Sequence, residues 1–331
     1  MSLFPLSLSP FSLRHLLALL LLPLFTGCVS EPAFDEQSVT VIGRDLPPLA
    51  AEEGTYELWF SYPDDPTAGK AAAVAHGDAE YVSMGRFTVD ADGTMRGSDG
   101  ATAELTIPSG YYPSLLIDAL LTVEAPGDTD AEPGARLLSG VFTGDDDHGM
   151  TTLRMSGSDA FGTAFDTADR GGSFRLTTPT TTRSDDEAMG VWFEFGEFEQ
   201  SLTTLPASTG NDAWIYAAWL VRDSGGMATT LPLGSFLDPD SLDDNAAGPG
   251  AGPDPLGLVV PGEDFVSGVL RTLNDGTYRV VVSLQPIGFL TARPFLPLFV
   301  PAPIPAGHAP GIPIAIEPPA VEPKVEIHVE R

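Results

Sequence analysis

From Leu46 onward, the sequence is divided into short apolar segments separated by turn residues, and this pattern limits the chain to short elements. In the segments 56–60, 86–89 and 120–123, apolar residues alternate with polar ones or form brief runs, which is typical of β-strands. The chain also contains 35 glycines and 31 prolines, and both residue types interrupt long helices. A weak helical pattern at 212–219 is interpreted as a strand because it belongs to a repeat. The sequence therefore predicts an all-β fold.

One series of motifs occurs twice in the same order. The first copy contains Leu46-Pro47, Tyr56-x-x-Trp59-Phe60, Met84-Gly85-Arg86-Phe87 and Leu121-Thr122-Val123-Glu124-Ala125-Pro126. The second copy contains Leu205-Pro206, Tyr216-x-x-Trp219-Leu220, Leu233-Gly234-Ser235-Phe236 and Val282-Ser283-Leu284-Gln285-Pro286. The spacing differs mainly through extra residues at 63–80 and 238–264, which have the composition of loops. We therefore predict two related antiparallel β-sandwich-like modules in tandem.

Each copy carries a tyrosine and a tryptophan three residues apart. Successive side chains of a strand point to opposite faces, so Tyr56 and Trp59 are expected on opposite faces of the first module. The same holds for Tyr216 and Trp219 in the second. We expect each tryptophan to anchor the core of its module and each tyrosine to lie on the other face.

The N-terminal residues have the features of an export signal. The apolar run at 16–25 is too short to span a bilayer but suits a signal peptide. Thr26-Gly27-Cys28 follows directly and resembles the bacterial lipobox, although Phe25 stands where that pattern usually has leucine. Cys28 is thus the predicted lipidation site, and Val29 after it favours outer-membrane over inner-membrane sorting. The alternative is an ordinary secretory peptide with an incidental cysteine. Because Cys28 is the only cysteine, no disulfide can form within the chain.

These features suggest an order of segments along the chain. The final residues are rich in proline and glutamate, and Val325, Ile327 and Val329 alternate there with polar residues, which suits an edge strand or a solvated tail. The expected segments are a lipoprotein signal peptide (1–27), a tether (28–43), a first β module (44–145), a stranded linker region (146–200), a second β module (201–316) and a Pro/Glu-rich tail (317–331).

Net charge restricts the partners of the chain. The formal charge is −30 at pH 7, and Lys70 and Lys324 are the only lysines. Such a surface repels nucleic acid and anionic lipid headgroups. Attachment to a membrane would therefore depend on the acyl chains of Cys28, which leaves an envelope protein or a glycan as the expected partner.

Motifs for hydrolysis and metal binding are weak. There is no Gly-x-Ser-x-Gly elbow, and the Asp223-Ser224-Gly225-Gly226 stretch fits a polar hairpin turn better than a protease site. The histidines lack the spacing of zinc ligands. Acid-rich stretches at 144–148 and 238–245 could supply oxygens to Ca²⁺ but are also typical of solvated loops. We assign no metal ligand, no cofactor and no catalytic residue.

One carboxylate cluster leaves an enzymatic alternative open. Glu194, Glu197 and Glu199 lie among aromatic residues, as in carbohydrate-active enzymes, where two carboxylates face each other across a cleft. Strand alternation, with phenylalanine inward and glutamate outward, explains the same pattern without chemistry.

The first copy resembles a known module. The stretches YELW, SMGRF and LLTVEAPGDTDAEPGARLLSG are similar to the extracytoplasmic domain of anti-sigma-K factors, and the second copy resembles bacterial lipoproteins that carry the same module. The resemblance implies a β-sandwich and no catalytic residue. Those factors also have a cytoplasmic sigma-binding region and a transmembrane helix, in whose place this chain has a lipoprotein signal, so the sigma-binding activity is not transferred.

Together, these observations predict an exported, non-enzymatic protein that is anchored by lipid to a bacterial envelope membrane and acts as a scaffold or binding module. The alternatives are a carbohydrate-active enzyme that uses the 194–199 cluster and an accessory component of envelope-stress signalling.

Overall fold

The computed structural model describes residues 38–64, 79–108, 111–145, 148–161, 165, 171–195, 214–224, 227–254, 257–289, 293–299, 302–319 and 321–330. Within these ranges the regular elements are β-strands and short 3₁₀ turns, and every strand pair is antiparallel. The prediction of an all-β fold is thus confirmed. None of the described segments forms a helix long and apolar enough to cross a membrane.

The described part of the chain forms both long strands and strands of only two or three residues. In order they are β1 (Ser38–Arg44), β2 (Thr55–Pro63), β3 (Ala79–Val89), β4 (Met95–Arg96), β5 (Asp118–Glu124), β6 (Ala135–Val141), β7 (Thr143–Gly144), β8 (His148–Leu153), β9 (Gly172–Leu176), β10 (Gly190–Glu194), β11 (Trp214–Ser224), β12 (Met227–Phe236), β13 (Gly262–Asp264), β14 (Tyr278–Pro286), β15 (Leu296–Pro297), β16 (Ala302–Pro303), β17 (Ile314–Ile316) and β18 (Lys324–Glu330).

Four sheets arise from these strands. Sheet I has the order β4-β3-β2-β5-β6, and sheet II the order β1-β18-β8-β7. Sheet III has the order β12-β11-β14-β15, with β16 also paired to β14, and sheet IV the order β13-β10-β9-β17. Sheets I and III contain the two copies of the repeat, each with one long strand between two antiparallel partners.

Sheets I and II pack as the first sandwich. The ring of Phe60 on β2 meets that of Phe142 edge-on at 5.0 Å between centroids. Val325, Ile327 and Val329 on β18 are buried in the same apolar cluster, and β8 contacts β5 and β6. Burial of these side chains is the main source of stability for this sandwich.

Sheets III and IV pack as the second sandwich. Phe195, directly after β10, lies 5.9 Å from Phe236 on β12 and 6.3 Å from Phe299 between ring centroids. The apolar cluster is continuous through both sandwiches. The prediction of two related sandwich-like modules is confirmed, with one copy of the repeat in each sandwich.

Five of the eight strands in sheets II and IV lie in segments that the sequence predicts to be a tether, a linker or a tail. The linker region 146–200 contains β8, β9 and β10, which pair with β18, β17 and β13. The expected tail contains β18, which lies between β1 and β8 rather than at an edge. It can occupy a central position because its apolar side chains all point inward and β1 from the expected tether supplies a second partner. The segment boundaries themselves stay a prediction.

The two copies match at the level of single residues. Tyr56 and Tyr216 pack against Phe87 and Phe236, with ring centroids 5.5 and 5.4 Å apart. Each tyrosine is buried in the main apolar cluster. In each copy, the register between the central strand and its partner shifts by one residue just before the tryptophan.

The tyrosine and tryptophan do lie on opposite faces, but the expected assignment of faces is wrong. The tyrosines lie inside the sandwiches, whereas Trp219 packs in a small separate cluster with Ala217 and Val281. The indole N–H of Trp59 donates to Thr122 Oγ1 over 2.9 Å, and that of Trp219 to Ser283 Oγ over the same distance. A hydroxyl on the neighbouring strand thus satisfies each polar indole on the outer face.

Candidate functional site

The second sandwich contains a cleft of about 430 Å³, within the range of small-ligand sites. We call it the Glu263 cleft. Apolar side chains form most of its wall, and the charged residues Glu263 and Arg271 also line it. The apolar residues are Leu231, Pro232, Pro249, Phe265 and Val269.

Glu263 is the unusual residue of this cleft. It occupies the centre of the three-residue strand β13, opposite Val191 of β10, and is only 4% exposed. Its Oε2 atom is buried and has no hydrogen-bond partner in the described part of the chain. The backbone of Gly248 runs so close that a Cβ atom there would lie 2.3 Å from Glu263 Cγ and 2.5 Å from Oε1. The carboxyl group is therefore packed against this backbone, and its buried Oε2 atom has no donor among the described residues.

Burial changes the proton affinity of this region. Removal from water raises the pKa of Glu263 to about 7; the charge of Asp243 adds to this shift and that of Arg271 opposes it. Burial also raises the pKa of Asp243 to about 6, although the backbone N–H groups of Gly262 and Asn245 donate to its carboxylate and oppose the shift. Two neighbouring carboxyl groups thus change charge near neutral pH.

Asp264 follows Glu263 on β13, and both oxygens of its carboxyl group accept hydrogen bonds. Asp264 Oδ1 accepts the indole N–H of Trp192 over 2.8 Å. Asp264 Oδ2 accepts both the backbone N–H of Thr180, over 3.0 Å, and its hydroxyl. Burial still raises the pKa of Asp264. This residue joins β10, β13 and the turn at Thr180, so its role is structural.

Arg271 lies at the cleft with its guanidinium carbon 5.9 Å from the centroid of the Phe265 ring. Its backbone N–H donates to the carbonyl of Phe265. Next to it, Val269 and Leu270 are exposed apolar residues. The cleft therefore has a charged side and an apolar rim that a ligand or partner can contact.

A second concavity, the Tyr81 groove, lies on the first sandwich and encloses about 620 Å³. Its residues include Trp59, Tyr81, Tyr111 and Arg136, and the Arg136 guanidinium carbon lies 5.6 Å from the centroid of the Tyr81 ring. Burial raises the pKa of Tyr81, with the charge of Asp118 adding to it. Aromatic rings and acidic side chains beside one another are typical of surfaces that bind polar ligands.

The cleft and the groove share one equivalent segment of the repeat, and their other walls differ. Gly85 and Gly234 occupy the same place opposite the central strand, with φ values of +131° and +120°. The groove is lined by residues 81–83 just before the first glycine, and the cleft by Leu231 and Pro232 just before the second. Each module therefore presents a concavity at the strand segment that leads into its bulge.

Polar groups near the groove are mostly paired. Arg86 Nε donates to Glu57 Oε2 over 2.6 Å, and Ser83 donates to the other oxygen of Glu57. Glu124 accepts the hydroxyl of Thr122 and the backbone N–H of Gly134, and burial raises its pKa. Glu57 and Ser83, which line the groove, are therefore held in place by these hydrogen bonds.

The carboxylate cluster expected from the sequence is only partly described. Glu194 ends β10, and its Oε1 lies 2.6 Å from Arg175 Nε on β9. Glu197 and Glu199 lie outside the described residues. An ion pair across neighbouring strands accounts for Glu194, and the enzymatic alternative stays a prediction.

The other candidate residues do not come together. In the range 238–245, Asp238 and Asp243 accept backbone N–H groups of their own turns. His148 pairs with Asp145, and the His308 ring contacts the carbonyl of Ile312. The described residues contain no group of three or more His, Cys, Asp or Glu side chains placed to hold a metal ion.

Two motifs from the sequence extend beyond the described residues. Asp223 and Ser224 end β11 and pair with Ala228 and Met227 of β12, which agrees with a hairpin there, while the glycines of the same motif lie outside. Cys28 also lies outside the described residues, so its lipidation stays a prediction.

Comparison with known proteins yields no relative. No protein-family model matches the sequence, and no curated protein or solved structure matches the chain.

Proposed function

We propose that the chain is a non-enzymatic binding module or scaffold of the bacterial envelope, tethered through acylated Cys28. The observation that supports binding most directly is the repeated concavity, at equivalent strand segments of both sandwiches. The two sites are lined by different residues, so each can take its own ligand. An acidic, lipid-tethered protein of this kind would hold a partner at the membrane surface.

Binding in the envelope can be tested by placing a photo-crosslinking amino acid at the cleft. Val269 lines the cleft and is 71% exposed, whereas Val321 is 58% exposed and does not line it. We expect a crosslinked adduct of defined mass when the label replaces Val269 in the full chain in its native membrane. The matched Val321 label is expected to give none. Equal labelling from both positions, or none from either, would contradict a binding role for the cleft.

The tether requires a separate experiment. Wild-type chain is expected in the detergent phase, with a mass that shows acylation of Cys28, and Cys28→Ala is expected in the aqueous phase. Aqueous partitioning of both proteins would contradict lipid anchoring. Glycan cleavage by wild type that is lost in Glu194→Gln would contradict the non-enzymatic assignment.

A further inference from the structure

The most unusual group outside the structural networks is the buried carboxyl of Glu263. A carboxyl oxygen without a donor costs stability when it is buried. The neighbouring Asp264 shows that donors can be supplied at this position, since its two oxygens accept three hydrogen bonds. Glu263 Oε2 instead has no partner among the described residues, in a residue that lines an open apolar cleft.

We propose that the Glu263 cleft binds a primary ammonium group on an aliphatic stem, presented as a lysine side chain by a partner protein. This inference rests on the proposed binding function and specifies the chemistry of the ligand. The ammonium would donate to the carboxyl group of Glu263, while the stem would contact Leu231, Pro232 and Val269.

The geometry of the carboxyl group favours ammonium over guanidinium. An arginine side chain binds a carboxylate best when both oxygens are free to accept parallel hydrogen bonds. Here the Oε1 side of Glu263 faces the backbone of Gly248, with a space too small for a Cβ atom. Because Oε2 is also buried, the carboxyl group cannot present both oxygens to a fork of two donors, whereas a ligand that donates from a single point needs only one.

Charge around the cleft favours a cation over an anion. Asp243, Glu263 and Asp264 are three buried carboxyl groups in one region, and the whole chain has a formal charge of −30. Arg271 is the opposing cation that acts on Glu263, and its guanidinium lies over the Phe265 ring. The field of the whole chain attracts cationic partners and raises their rate of association.

The rim of the cleft indicates a macromolecular partner rather than a free amine. Val269 and Leu270 are 71% and 60% exposed and follow one another beside the cleft. A protein surface around a projecting lysine can cover these side chains, and burial of exposed apolar area adds to affinity.

The probe for this proposal is Nα-acetyl-lysine methylamide, titrated into the full detergent-solubilised chain and followed by calorimetry. We expect saturable binding at pH 8, and no binding of the matched probe with an acetylated side-chain nitrogen. Glu263→Gln is expected to weaken binding by about tenfold or more, because a hydrogen bond to a charged group is lost. The exposed-site control Glu330→Gln is expected to bind as wild type does. Binding is expected to weaken toward pH 5 as Glu263 takes up a proton.

A second variant avoids any change in the buried strand. Val269→Lys places an ammonium group at the rim of the cleft from an exposed position, so we expect it to fold normally and to compete with the probe. Unchanged affinity in both Glu263→Gln and Val269→Lys, or equal binding of the two probes, would overturn the proposal. A crosslinked adduct at Val269 in the membrane, without binding of the lysine probe, would leave the binding function intact and refute only the lysine chemistry.

Discussion

At the scale of single residues, the buried carboxyl groups divide by how many donors reach them. The carboxyl group of Asp264 accepts three hydrogen bonds, which join separate segments of sheet IV and its loops. Glu263, its neighbour, has an oxygen with no partner among the residues described. The contrast arises because adjacent side chains of a strand point to opposite sides, one into a turn rich in donors and the other into an apolar cleft. Position along the strand therefore separates a structural carboxyl from a candidate binding carboxyl.

The raised pKa of Glu263 predicts a particular dependence of stability on pH. Its pKa moves from an ordinary value of 4.5 to about 7 in the folded chain, so the folded state binds this proton more tightly than the unfolded state. The stability that this proton adds to the folded state is fully present below pH 4.5 and is lost as the pH rises toward 7. Glu263→Gln cannot ionise, so we expect it to be more stable than wild type at pH 8 by about 2 kcal/mol.

Urea unfolding of both proteins at pH 4.5, 6 and 8 measures this difference. In wild type, the free energy of unfolding should decrease between pH 4.5 and 7. In Glu263→Gln this decrease should be smaller but should remain in part, because the pKa of Asp243 is also raised, to about 6. Parallel stability curves for the two proteins would show that Glu263 does not take up a proton in this range.

The tryptophan on the outer face of each repeat supports a second prediction. Ser283→Ala removes the acceptor of the Trp219 indole N–H, which is a buried bond of 2.9 Å. We expect a loss of about 1–3 kcal/mol in the free energy of unfolding, because the indole N–H is left without an acceptor. In a Trp219→Phe background the same substitution should cost less. A double-mutant cycle that shows no coupling between the two positions would contradict this account.

At the scale of elements, the two copies differ in what surrounds the glycine of each bulge. Gly85 and Gly234 both have positive φ angles, which non-glycine residues adopt at a cost of about 1–2 kcal/mol. A Cβ atom at Gly85 would lie 3.1 Å from Leu105 Cδ2, at the end of a flexible side chain. At Gly234 it would lie 2.4 Å from Asp243 Cγ, in a carboxyl group held by two backbone donors.

We therefore expect Gly234→Ala to destabilise the chain more than Gly85→Ala. The first substitution should cost at least about 3 kcal/mol, from backbone strain together with displacement of Asp243, and the second about 1–2 kcal/mol. Chemical denaturation of both variants under the same conditions gives the comparison. Equal losses would show that Asp243 moves aside freely.

The sequence predicted some elements well and others poorly, for physical reasons. Strands β2 and β11 share a motif, so the strand pattern of β2 indicated the type of β11, whose own pattern is weakly helical. Strand β13 has three residues, too few to show a period, and it lies in a Gly/Pro/Asp-rich stretch interpreted as a loop. Glu263 was missed for that reason. The face of each tryptophan was assigned wrongly because alternation shows that two faces differ but does not show which face a second sheet will cover.

At the scale of the whole molecule, the ends of the described chain belong to one sheet. Strand β18 pairs with β1 over seven residues, from Ser38 opposite Glu330 to Arg44 opposite Lys324, and on its other side with β8. The strands of the second sandwich lie between β8 and β18 in the sequence. No local pattern encodes a pairing between residues so far apart, so the sequence predicted a tandem order in which the last strand was optional.

This topology predicts that the C-terminal strand stabilises the first sandwich. Ile327 is completely buried on β18, so Ile327→Ala should cost about 2–5 kcal/mol through lost burial and a cavity. The neighbouring His328 is exposed, and His328→Ala should change stability by no more than about 0.5 kcal/mol. Because β18 lies between β1 and β8, Ile327→Ala should increase hydrogen exchange in β1, β8 and β5 more than in β11 and β14. Equal increases in both sandwiches would instead show that they unfold as one unit, and unchanged exchange in β1 and β8 would refute the central position of β18.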